Sequence, residues 1–584
     1  MRTTIFLSLA TCSLVTLLAG CGETEHLDRD HDAGEAGAPG DAGTSQGNGG
    51  TASTGGSGGS GGAAGMHGGR DPVTNKPLYF EDVTERRGID FVVEVNEVFE
   101  EIEAPLGRVS VENMGQGAAV GDYDNDGDLD IYLVGHVGQA NRLYRNDLER
   151  GDKYFTDVTP ALLADEGLGR VAHFVDLDND GWLDLLLIND DDASGNYEPS
   201  KLFKNDAAGG FVDVTEASGI HPIGYLKGGA AVVDYDGDGL LDVYVTNWNY
   251  RPTEGPGPFP GINRLYRNLG NLEFEDMTTE IIGTAANSFS AIFTDFDGDL
   301  LPDLYVAVDH GYDNFFSNVD GENFVDIAEQ AGVRHWGNDM GIAAADFDDD
   351  QDLDLYVTNI THPDRELTDN VFYVNQLTET GELWFNEEAH ERGVHDTYWG
   401  WGTEFVDVDQ DGDLDIVAVT GFDEWNEWVG SYRSLIGTPS VLFLNDGAGQ
   451  FERRLGAGLD EAQDSRALIA FDYDRDGDQD LLVTNVGQPA RLYENVSTGL
   501  GNALTVVLAP DAMALGGVVY ATVAGVTKRR DVVLGRSYLA GTPSEVHLGL
   551  GDAEVVESLR VVWVDGSETA LTDVAANQLV RIEP

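Results

Sequence analysis

Three features of the sequence predict an all-β fold. A nine-residue aspartate-rich pattern recurs seven times, each copy lies between β-rich runs, and after the last copy the chain turns to alternating strands. Together they predict a seven-bladed β-propeller followed by a small β-sandwich or barrel domain. The copies are DYDNDGDLD (from Asp122), DLDNDGWLD (Asp176), DYDGDGLLD (Asp234), DFDGDLLPD (Asp295), DFDDDQDLD (Asp346), DVDQDGDLD (Asp407) and DYDRDGDQD (Asp472). Their starts lie 51 to 65 residues apart, a period that suits propellers and other repeat arrays.

Each copy carries the same surroundings. An apolar stretch precedes the loop, as in GAAVG, and a β-branched and aromatic run follows it, as in LDIYLV. A third strand ends in Asn, as in NRLYRN, and a short fourth resembles FTDVT. Four short strands joined by turns make one antiparallel blade. The seventh loop is followed by LLVTNV and ARLYEN but by no fourth strand, whereas FEDVT (Phe80 to Thr84) precedes the first loop. The N-terminal strand is therefore expected to complete the last blade and remove an open edge.

In D-x-D-x-D-G-x-x-D, carboxylates fall at loop positions 1, 3, 5 and 9. Hard oxygen donors in that number suit Ca²⁺, which takes six to eight, while Mg²⁺ keeps its waters. The candidate ligands are Asp122, Asp124, Asp126, Asp128 and Asp130 in the first copy, and Asp176, Asp178, Asp180 and Asp184 in the second. The third and fourth supply Asp234, Asp236, Asp238, Asp242, Asp295, Asp297, Asp299 and Asp303. The fifth has Asp346, Asp348, Asp350, Asp352 and Asp354, with Asp349 besides. The last two have Asp407, Asp409, Asp411, Asp413, Asp415, Asp472, Asp474, Asp476, Asp478 and Asp480. Up to seven structural Ca²⁺ sites follow. Leu300 and Gln351 replace the turn glycine, so those two sites are expected to be weaker or distorted. An EF-hand is excluded, because position 12 is Leu, Val or Ala in every copy where bidentate Glu is required.

The chain has 584 residues, with 105 acidic against 33 basic side chains and a formal net charge of −72. Nucleic acid is thereby excluded as a partner, since phosphate recognition needs clustered Lys and Arg. MRTTIFLSLATCSLVTLLAGC has the charged start, apolar run and small-residue end of a signal peptide over residues 1–20. Only Cys12 and Cys21 occur, so no disulfide supports the exported chain. Residues 21–73 include the Gly/Ser run QGNGGTASTGGSGGSGGAAG, a flexible tether spanning on the order of 40 Å. Residues 74–497 hold the repeats and 498–584 the second domain.

Leu18-Ala19-Gly20-Cys21 resembles the lipobox of bacterial lipoproteins, which implies lipidation of Cys21. An ordinary signal peptide that contains a cysteine is the competing reading. With Gly22 after the cysteine, anchoring to the outer membrane or cell surface is expected. The aspartate loops resemble the FG-GAP/VCBS repeats of integrin α-like propellers over roughly residues 78 to 495. The C-terminal strands resemble the ASPIC/UnbV domain of cartilage acidic protein-like (CRTAC-type) proteins through Gly535, Tyr538, His547, Gly549, Leu550, Gly551, Trp563 and Gly566. Val564-Asp565 and Gly517 depart mildly from that pattern. A lone strand histidine such as His547 reads as packing.

In an antiparallel blade the turns after the first and second strands lie at opposite ends. The loops on the end away from the aspartates carry Trp248, Tyr250, Trp425, Trp428 and Tyr432, and blade-to-blade connections add Trp336, Trp399 and Trp401. Aromatic side chains on loops held by a rigid frame are recognition anchors, although YWGWG equally reads as packing between blades. A monomer binding an extracellular protein or glycan through this face is expected. No catalytic motif is present. The alternative is a polysaccharide-active enzyme using residues such as His335, Tyr398 or Tyr432.

Overall fold

The computed structural model describes residues 78–93, 114–151, 153–190, 199–221, 226–250, 259–361, 369–422, 433–509 and 511–584. The segments read as signal peptide and tether, with Cys21, lie outside them. Strands dominate the described residues, and no helix there is long and apolar enough to cross a membrane.

Each aspartate loop joins the first two strands of an antiparallel four-strand unit, and the described residues contain seven such units; further short strands extend the sheets of the first, third and fourth. In the second, Gly169–Val175 pairs with Asp184–Asn189, which pairs with Lys201–Asn205 and then Phe211–Asp213. The inner two strands are buried along their whole length, so their sequences run apolar rather than alternating. The seventh sheet takes its fourth strand from the N-terminus: Phe80 lies opposite Asn495 and Asp82 opposite Tyr493. Apolar clusters run from sheet to sheet. Ile469, Phe471 and Leu482 of the seventh pack with Ala118, Val120 and Ile131 of the first.

A polar lock repeats with the same period. The Asn ending each third strand donates its side-chain amide to the carbonyl of the second loop residue in the preceding sheet. Asn205 reaches Tyr123, Asn268 Leu177, Asn318 Tyr235, Asn375 Phe296, Asn445 Phe347 and Asn495 Val408. Asn146 of the first sheet reaches Tyr473 of the seventh at 2.7 Å, which closes the circle.

The C-terminal strands form a two-sheet sandwich. Asn502–Leu508 lies between Glu545–Gly551 and Gln578–Ile582, and the second sheet runs Val526–Asp531, Val518–Val523, Val555–Val562, Glu568–Ala575. Trp563 and Leu504 are buried in it. Between Asp531 and Glu545 the chain leaves the sandwich and runs along the inner strands of the ring. Leu534 bridges Val232 of the third sheet, Ser537 bridges Ile342 of the fifth, and Ala540–Gly541 pairs in parallel with Ala118 and Ala119 of the first. This segment plugs the ring axis. Tyr538 is fully buried, 5.0 Å from the Trp401 ring and 5.5 Å from Phe289, and its hydroxyl donates to the Met114 carbonyl. Gly541 is required by proximity, because a Cβ there would lie 2.2 Å from the Ala172 carbonyl oxygen.

Candidate metal loops and the two faces of the ring

The ninth loop position anchors each site. One oxygen of Asp130, Asp184, Asp242, Asp303, Asp354, Asp415 and Asp480 accepts from the backbone N–H of the lock Asn at 2.8 to 3.0 Å. The other accepts from the N–H of the second loop residue. The first-position side chain holds the turn: Asp122 accepts from Asp126 and Gly127, and Asp176 from Asp180 and Gly181.

These bonds bring carboxylates together. Oxygens of Asp122, Asp124 and Asp130 lie within 4.8 Å of one another, as do those of Asp176, Asp178 and Asp184, of Asp234, Asp236 and Asp242, and of Asp295, Asp297 and Asp299. Burial pushes Asp122, Asp176 and Asp234 up to about 6, Asp472 to about 7, Asp346 to about 8 and Asp242 to about 9. Buried oxygens of Asp124, Asp178 and Asp474 have no hydrogen-bond partner. An all-oxygen donor set with unpartnered buried oxygens fits a hard divalent cation, and these groups could hold a metal.

Three details add to the sequence expectation. Leu300 and Gln351 keep the backbone turn: each adopts the left-handed conformation, with φ of 72° and 77°, and donates to Asp295 or Asp346 as the glycines do. The departure from Gly is taken as strain of about 1 kcal/mol instead. Asp128 and Asp352, assigned as ligands, each give one oxygen to the chain beyond the third strand, at Leu148 and Thr378. Lys204 contacts Asp178 and Asp180, and Arg267 contacts Asp236 and Asp238. These basic side chains stand one residue before the lock Asn. The sequence signal for them is KLFKN and NRLYRN, the latter also in the first repeat, where the last four repeats have Ser317, Val374, Leu444 and Glu494.

The sandwich covers the aspartate face. Arg475 of the seventh loop makes a two-pronged pair with Glu545, and Lys528 pairs with Asp349 at 2.7 Å. Arg529 donates to the Gln351 carbonyl, Gly551 N–H to that of Gln410, and Ala512 N–H to the Asn179 side chain. His547 is half-buried with its ring nitrogen 3.1 Å from the Gly477 carbonyl, and Gly549 leaves room for Asp407, whose oxygen would lie 1.8 Å from a Cβ. The residues that mark the C-terminal domain in the sequence are thus largely those that dock or plug it.

On the opposite face, Trp248 does not project. It is buried, stacks on Phe289 and donates its indole N–H to Asp309 of the next sheet at 2.7 Å, so its loop position was misleading about exposure. Trp399 stacks on Phe422 with ring centroids 4.5 Å apart, and Trp401 is buried against the plug, which realises the packing reading of YWGWG. Trp336 is 52% exposed and pairs across strands with Tyr312, 53% exposed, over which Arg334 lies at 5.2 Å. Tyr312 went unnoticed in the sequence because it ends the long strand Asp303–Tyr312 rather than sitting in a long loop. The Tyr250 backbone lies opposite Phe259 at a strand end. Trp425, Trp428 and Tyr432 lie outside the described residues. Tyr398 sits at φ 62° under Arg453.

Residues 122–187 and 255–306 match the FG-GAP-like repeat, and residues 508–584 match ASPIC and UnbV. Cartilage acidic protein 1 of Mus musculus is 26% identical over 487 residues, covering 77% of this chain and 70% of that protein. The Homo sapiens protein of the same name is 26% identical over 488 residues, covering 77% and 69%. Among solved structures, BBS1N in its complex with ARL6DN aligns with a TM-score of 0.39 at 10% identity, covering 66% of this chain and 94% of that one. The chain is thus a protein of FG-GAP-like repeats with a C-terminal ASPIC and UnbV domain, homologous to cartilage acidic protein 1.

Proposed function

We propose that this chain is an exported, calcium-loaded recognition protein, anchored to the bacterial cell surface through Cys21. It binds an extracellular protein or glycan through the ring face opposite the aspartate loops. The observation that carries this reading is the docked sandwich. It covers the aspartate face and fills the axis, leaving the other face, with Tyr312, Arg334 and Trp336, for a partner. Aromatic and Arg side chains on a rigid frame are the usual anchors of such surfaces. Similarity to cartilage acidic protein 1 supports an extracellular recognition role.

Calcium fills the aspartate loops and stabilises the blades. Burial raises the carboxyls of Asp122 and Asp176 to about 6, of Asp346 to about 8 and of Asp242 to about 9. A raised folded pKa gives stability that is full below the unfolded value of about 4 and is lost as pH rises through the folded values. Calcium replaces those protons, so its contribution grows over the same window. The melting temperature in EDTA is expected to fall from pH 5.5 to 8.5, and the gap to the Ca²⁺-saturated protein to widen. A gap independent of pH, or no gap, contradicts calcium-filled loops.

The lipid anchor is tested by detergent-phase partitioning, which is expected for the native protein and lost in Cys21→Ser. Equal partitioning of the two would remove the anchor from the account.

The partner face is tested on glycan and protein arrays with the Ca²⁺-saturated protein. Binding without turnover is expected, at least tenfold weaker in Trp336→Ala and in the double variant Trp425→Ala, Trp428→Ala. Cleavage of an arrayed polysaccharide, abolished in His335→Ala or Tyr398→Phe, would favour the enzyme reading instead.

A further inference from the structure

A second cluster of metal-type donors lies far from the aspartate loops, where the fourth and fifth sheets meet on the opposite face. Asp313 immediately precedes the third strand of the fourth sheet, Asn314–Asn318, and His335 and Asp339 belong to the connection into the fifth. One ligand atom from each lies within 4.8 Å of the others. Asp313 and Asp339 have no exposed surface, and the His335 Nδ1 atom is 3.1 Å from Asp339 Oδ2.

The repeats supply an internal control. Asp313 stands five residues before the lock Asn, where the first, third and fifth sheets have Asn141, Asn263 and Asn370. Those neutral side chains do the structural work of the position, each accepting a backbone N–H from the end of the second strand or the turn beyond it. Asp313 accepts the equivalent bond from Val308 and another from the Tyr305 hydroxyl at 2.6 Å. The frame therefore does not require its charge. Asp339 stands seven residues before its loop, where the other six repeats have Gly115, Gly169, Lys227, Ser288, Gly400 and Ser465. Two carboxylates thus depart from the repeat at one point, and they face each other.

A separate observation concerns space. Gly337 lies outside the left-handed region, so its backbone does not call for glycine. A Cβ there would fall 2.6 Å from Asp339 Oδ2, 2.7 Å from His335 Cε1 and 2.5 Å from Asn359 Nδ2. The missing side chain leaves a cradle against the donor atoms.

Charge points the same way. Asp309, also buried, accepts from Asn338 and Trp248 beside the cluster. Among the described residues no lysine or arginine pairs with Asp309, Asp313 or Asp339; the basic groups facing them are His310 and His335. Carboxylates facing one another in a desolvated site need a cation or a shared proton.

We infer that Asp313, His335 and Asp339 form a binding site for one divalent transition-metal ion of the zinc type, separate from the calcium loops. A mixed imidazole and carboxylate set selects such ions over Ca²⁺. The carboxylates are oriented from behind, Asp313 by Tyr305 and Val308 and Asp339 by the Asn359 amide at 2.7 Å. Three protein ligands leave a coordination position open, on the side where His335 is partly exposed and Trp336 is solvent-facing. The inference does not depend on the recognition reading.

The test titrates Zn²⁺ into the full mature chain saturated with Ca²⁺, followed by calorimetry and by elemental analysis after desalting, with Co²⁺ absorption as a check on His ligation. One tightly held Zn²⁺ per chain is expected. Asp313→Asn, which reproduces the residue of three sibling sheets and so keeps the fold, is expected to weaken it at least tenfold. His335→Gln should do the same, and Gly337→Ala should weaken binding by filling the cradle. Retention of the Zn²⁺ in both Asp313→Asn and His335→Gln, or no Zn²⁺ bound by the native chain, overturns the site in favour of a shared proton.

Discussion

The structure depends on one buried carboxylate per repeat. The ninth loop aspartate accepts two backbone N–H groups, one from its own loop and one from the end of the third strand. The residue that donates the second bond is the Asn whose side chain crosses to the previous sheet. A single aspartate therefore sets the loop, the register of the third strand and the position of the neighbouring blade. Its burial also raises the free energy of its charge, which is why the loop gathers donors suited to a cation.

Both ends of the folded chain serve closure. The N-terminal strand Phe80–Asp82 completes the last sheet. The C-terminal domain lies across the aspartate loops and sends Tyr538 and Gly541 into the axis. Among the described residues, the exposed aromatic pair Tyr312 and Trp336 lies on the face of the ring opposite the sandwich. Its acidic surface is offset locally by Lys528, Arg529 and Arg475 where the domain docks.

Much of this was legible in the residues. The aspartate pattern reports a turn whose ligands are adjacent in sequence, so the loops could be read residue by residue. The N-terminal closing strand was legible because its FEDVT text is missing from the last repeat. The Asn lock was visible as a recurrent residue, but its acceptor lies in another blade, 327 residues away for Asn146, and no local pattern reports that. The plug reads as one more strand, since nothing in GRSYLAGTPS says that Tyr538 inserts into an axis formed by distant repeats. Trp248 sat beside a long polar loop and looked exposed, yet Asp309, a repeat later, takes its N–H. Asp313, Asp339 and Gly337 are departures from the repeat, and departures become informative only once equivalent positions are superposed in space.

The most direct measurement is urea unfolding of Asn146→Ala in Ca²⁺-saturated buffer, since that side chain alone joins the first sheet to the seventh by this bond. Loss of the amide leaves the buried Tyr473 carbonyl without its donor, which costs about 1–3 kcal/mol. A loss of stability in that range, with the loops still filled, is the predicted result. Unchanged stability would contradict the view that the ring is held through its Asn locks.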